Sequence, residues 1–137
     1  MKKLLLLLLL FPLFSFAQVV PDKTDQITVL NSETAYANFI DVKLLLSKKG
    51  IEIVSLDKEA FQIETGPIDI KSSGTSYYVF ICRDDKIIIT GKTKYSSSDT
   101  IETIANTGAK DTPEKLSFEA MNDLAKLLGT RLQYEVR

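Results

Sequence analysis

The chain has no histidine, no tryptophan and a single cysteine, Cys82. Without histidine it lacks the commonest general base and the commonest metal ligand, which excludes nucleophile–histidine catalysis and His-containing zinc sites. One cysteine excludes an intramolecular disulfide, so the stability of the fold must come from packing. Asn31, Asn38, Asn106 and Asn122 all lack a hydroxyl residue two positions on, so there is no N-glycosylation sequon. A concentrated basic run is also missing, and with it the electrostatic footprint of a nucleic-acid or anionic-lipid binder.

What is present begins at the N-terminus. Lys2 and Lys3 form a positive region, residues 4–16 an apolar stretch of 13, and Ser15-Phe16-Ala17 places small residues where a signal peptidase reads them. That stretch is short of the ~20 residues needed to span a bilayer, and no stop-transfer segment follows. The expectation is an exported protein, periplasmic or secreted, with residues 1–17 as signal peptide, cut after Ala17 and soluble from Gln18 on, with no membrane insertion afterwards. No cysteine near the cut offers a lipid-anchor site. Cutting 17 of 137 residues leaves 120, and losing Lys2 and Lys3 from 17 basic residues leaves 15 against 18 acidic ones. A chain of that length supports one hydrophobic core.

Residues 18–30 read as a polar, Pro-broken tether with a short strand at Ile27 and Val29, and residues 31–137 as a single domain. Asn31 or Ser32 is placed to cap a helix whose apolar residues Ala35, Phe39, Val42 and Leu46 recur at spacings of four and three. Gly50 supplies its left-handed stop. The period then changes to two. Ile51 and Ile53 face Phe61 and Ile63 across an Asp57-Lys58 turn, with Ile68 and Ile70 continuing past a kink at Gly66-Pro67. Residues 77–82 (YYVFIC) and 87–90 (IIIT) form a second hairpin and the expected central strands. Residues 94–111 carry serine, asparagine and glycine with few apolar positions and read as a long irregular loop, the kind of segment that often carries function. Thr112-Pro113 starts a second helix, Gly129 ends it, and Leu132, Tyr134 and Val136 alternate along a last strand. The order α-β-β-β-β-α-β predicts an α+β two-layer sandwich, an antiparallel sheet with both helices on one face.

Four groups are candidates for chemistry. Asp84 and Asp85 are adjacent carboxylates, but neighbours in a tight turn point apart and Arg83 and Lys86 neutralise them, which favours a solvated turn over a cation site. Asp57, Glu59 and Glu64 straddle a hairpin, where a charged outer sheet face accounts for them as well as a glycosidase-type pair does. Cys82 ends an apolar strand with no histidine to activate it and reads as a buried small hydrophobe. Tyr77, Tyr78 and Tyr95 with Ser96, Ser97 and Ser98 form a candidate partner-binding surface if one of the adjacent tyrosines points away from the helices. No catalytic, metal or cofactor site is expected.

The helix from Ala35, then Gly50-Ile51-Glu52-Ile53, Asp57-Lys58-Glu59 and Phe61-Gln62-Ile63-Glu64-Thr65, resembles the opening of small envelope domains. These occur in BamC-type lipoproteins of the outer-membrane barrel assembly machinery and in exported families with a TATA-binding-protein-like fold. The resemblance implies protein contacts and not catalysis, and it carries no functional residue across. The expected function is a non-enzymatic exported module that contacts another envelope protein through an edge strand or the sheet face opposite the helices. The alternatives are a small-ligand or glycan carrier with its site between sheet and helices, and a hydrolase relying on carboxylates alone.

Overall fold

A computed structural model describes residues 18–137, so the leader-peptide expectation for residues 1–17 lies outside the described residues. Ten elements follow one another: β1 (Gln26–Leu30), α1 (Ala35–Lys48), β2 (Ile53–Asp57), β3 (Gln62–Thr65), β4 (Ile68–Ile70), β5 (Gly74–Arg83), β6 (Lys86–Tyr95), β7 (Ile101–Thr103), α2 (Pro113–Leu128) and β8 (Arg131–Glu135). The strands form one sheet in the order β2-β3-β5-β6-β1-β8, with β4 paired to β5 and β7 to β6, and every pairing is antiparallel. The architecture is α+β, with more strands than the sequence pattern resolved. Among the described residues no helix is long and apolar enough to cross a membrane.

Strand alternation decides which side chains meet the helices. In the ten-pair β5–β6 ladder, Tyr78, Phe80 and Cys82 stand beside Gly91, Ile89 and Ile87. The same row runs on into Ile27 and Val29 of β1 and Ile63 of β3. Phe39, Val42 and Leu46 of α1 and Phe118, Met121 and Ala125 of α2 close over that face, and all of these residues belong to one buried cluster. The four-and-three spacing in each helix thus becomes the contact stripe of the second layer.

Both helix starts are capped by threonine. Thr112 accepts from the Lys115 amide with Pro113 at the first helical position, as the sequence suggests. At α1 the cap is Thr34 rather than Asn31 or Ser32, accepting from Ala37 N. Asn31 is occupied elsewhere: its side chain amide donates to Asn38 Oδ1 at 2.7 Å, and its Oδ1 accepts from Glu33 N. Asn38 is buried and also donates to the carbonyls of Arg83 and Lys86, joining α1 to the β5–β6 turn. Gly50 does take the left-handed conformation (φ 69°) that ends α1.

Two segments differ from their sequence reading. Residues 94–111 are not one irregular loop. β6 runs on to Tyr95 with Thr93 and Tyr95 turned inward, β7 pairs back along Lys92 to Lys94, and Ile104 is wholly buried. The tether is also docked. Asn106 donates to the carbonyls of Val20 and Pro21, the Lys23 amide donates to Asn106 O, and the Asn106 amide donates to Thr24 O at 2.7 Å. Thr24 has no exposed surface, so the ordered domain begins earlier than the strand at Ile27.

Candidate functional site

The sheet has one face under the helices and one face without them. Along β5 and β6 the uncovered face carries Tyr77, Val79 and Ile81 beside Lys92, Thr90 and Ile88, and all but Lys92 are half-buried. Glu64 of β3 stands next to Val79, and Thr28 of β1 next to Ile88. Further along, Thr103 of β7 stands next to Lys92. Glu64, Tyr77, Val79, Thr90, Lys92 and Thr103 frame a groove of about 360 Å³, which Val54 and Arg137 also line. Arg137 is anchored there twice by Asp25, whose Oδ1 accepts from the Arg137 backbone amide at 3.0 Å and lies 3.5 Å from its Nε.

The tyrosines expected to share a surface are split by the pleat. Tyr77 lies on the open face and lines the groove. Tyr78, 1 % exposed, points into the core, where burial pushes its hydroxyl up to about 12 against a smaller lowering by Ser76. Tyr95 is also buried on the helix side, and its hydroxyl is raised first by burial and then by Glu114 and Glu102. Ser96 and Ser98 border a separate depression with Asp69, Thr75 and Lys94, while Ser97 is exposed beside it. Ser96 donates its amide to Ser73 O, and Ser98 and Thr100 share a hydroxyl hydrogen bond of 2.7 Å. These serines form the β6–β7 turn, separated from Tyr77 by three residue pairs of the β5–β6 ladder, and the two do not make one site.

The acidic candidates have structural partners. Asp84 Oδ1 accepts from Ala35 N at 2.8 Å and supplements the cap of α1 from 49 residues away, an anion at the positive end of the helix. Asp85 takes a left-handed φ of 66° and donates its amide to Glu33 O. Asp57 Oδ1 accepts from the amides of Glu59 and Ala60, which closes the β2–β3 turn and occupies one carboxylate of the suggested pair. Among the described residues no group of three acidic or cysteine side chains is placed to hold a metal ion.

Cys82 lies in the core beside Ile87, and burial pushes its thiol up from 9.0 to about 12, outweighing the lowering by Arg83. In the folded protein it is expected to react with a maleimide far more slowly than in denaturant, and Cys82→Ser to cost about 1–3 kcal/mol by placing a hydroxyl in an apolar setting. Labelling at the same rate in both states would place the thiol outside the core.

The groove's residues are hard to find from sequence, because Glu64, Lys92 and Thr103 lie on three different strands and Arg137 after a fourth. Their signal was the polar half of each strand's alternation, which reads as solvated surface until the topology joins it. No protein-family model and no curated protein matches the chain.

Proposed function

We propose that this chain is a non-enzymatic exported envelope module that holds another protein through the open face of its sheet. The observation that carries the reading is the composition of that face: half-buried Tyr77 and Val79 in the groove with Glu64, Lys92 and Arg137, and half-buried Ile81 and Ile88 continuing the same face along the strands. An apolar and aromatic centre with a charged rim is the anatomy of a protein interface. Export rests on the leader pattern of residues 1–17.

The face is favoured over an edge strand. β2 has an irregularity between Ile53 and Ser55 that interrupts its register, and at the other edge the Gln18 side chain donates to Leu132 O. Both features blunt strand addition. A carrier site between sheet and helices draws no support from the core, where Tyr78, Phe80, Phe118, Leu46 and Met121 interdigitate with less than 2 % exposure apiece.

The test is photocrosslinking in the native envelope with p-benzoylphenylalanine in place of Tyr77, and in place of Tyr36 as a control. Tyr36 is 62 % exposed on α1, the opposite side of the molecule. A discrete adduct with one protein from position 77, and none from position 36, is the expected result. Equal capture at both positions, or none at position 77, would overturn the reading.

A further inference from the structure

Charge is distributed unequally along the groove. Lys92 and Arg137 stand on the side of β6 and β7, and Glu64 stands on β3. No ion pair within 4.0 Å joins Lys92 or Glu64 to another described residue. Asp25 Oδ1 accepts from the Arg137 backbone amide and lies 3.5 Å from its Nε, and the guanidinium has no other ion pair among the described residues. Thr90 and Thr103 add hydroxyl donors on the same side, and Tyr77 and Val79 form the floor between the two ends.

Two cations, the Lys92 ammonium and the Arg137 guanidinium, and two hydroxyls make a carboxylate site. The floor beside it suits one or two aliphatic side chains. β3 and β6 lie two strand spacings apart, about 10 Å, which an extended chain crosses in about three residues. A volume of about 360 Å³ accommodates a chain end and falls at the low end of ligand pockets. On the basis of the open-face reading above, we propose that the groove takes the carboxyl-terminal end of a partner polypeptide. Its terminal carboxylate lies against Lys92 and Arg137, its last aliphatic side chains on Tyr77 and Val79, and a basic side chain three residues upstream at Glu64.

The experiment is fluorescence polarisation with acetyl-Gly-Lys-Ser-Val-Leu, labelled on its N-terminal side, as the free acid and as the C-terminal amide. The free acid is expected to bind about tenfold more tightly or better, the worth of a charge-assisted hydrogen bond. Lys92→Gln removes most of that difference. Glu64→Gln weakens the lysine peptide and leaves a peptide with serine in its place unchanged. Equal binding of acid and amide, or no binding of either at millimolar peptide, overturns the proposal. Its failure is separable from failure of the open-face reading: position 77 would still capture a protein if only the chain-end chemistry were wrong, and would capture none if the face itself were wrong.

Discussion

Ile104→Ala is expected to lower the free energy of unfolding by about 2–5 kcal/mol, a large part of the ~5–15 kcal/mol available to a domain of this size. Ile104 has no exposed surface, and its amide donates to Gly91 O at 3.0 Å. Its Cδ1 fills the space over Gly91, where an added Cβ would lie 2.7 Å from Ile104, 2.9 Å from the Tyr78 ring and 3.2 Å from Met121 Sδ. Gly91 is therefore required by close packing, and the isoleucine occupies what the missing side chain leaves free. Truncating it opens a void bounded by a glycine, a tyrosine ring and α2, none of which can collapse inward easily. Urea titration reads the effect. A loss below about 1 kcal/mol would return residues 104–106 to the class of surface loop.

A second large effect is expected in alkali. Tyr78 and Cys82 both have folded-state values near 12, raised from 10.0 and 9.0 by burial. Raising the folded value of an acid stabilises the protein below the unfolded value, and that stability is lost as pH rises through the folded value. The loss therefore begins near pH 9, as unfolded Cys82 ionises, continues from pH 10 for Tyr78, and is complete above about pH 12. Each group contributes on the order of 3 kcal/mol. Urea midpoints between pH 8 and pH 12 should fall steeply in the wild type and less so in Tyr78→Phe with Cys82→Ala. Parallel curves for the two proteins would place the alkaline loss elsewhere.

Elements whose apolar residues repeat strongly were legible in the sequence: both helices, the Asp57-Lys58 hairpin, the 77–82 and 87–90 strands, and the alternation of Leu132 and Tyr134. What escaped was β-structure built on polar alternation. In Thr93-Lys94-Tyr95 the inward residues are a threonine and a tyrosine, and Thr93 packs in a hydroxyl cluster with Ser76 and Ser117 rather than in an apolar row. Hydroxyls that satisfy one another inside a core carry the same letters as a loop. The tether escaped for a related reason. It is held by carbonyls accepting from one asparagine 85 and 86 residues away, a contact with no local signature. For the candidate site, the adjacent Tyr77 and Tyr78 could be assigned to opposite faces from alternation. Which of them faced outward depended on where the helices lie.

The position of β1 bears on when this domain can form at all. β1 sits between β6 and β8, and its residues Gln26 to Leu30 pair with the last strand, Glu135 to Arg131. The first strand of the chain therefore completes its hydrogen bonding only with the final residues. Loop closure across nearly the whole length is entropically slow, and contacts of such high sequence separation delay folding. A chain synthesised N-terminus first has the 53–95 strands available early but leaves one edge of β1 unpaired until residue 131 is made. The complete sheet therefore assembles only once the residues of β8 are available to pair with β1.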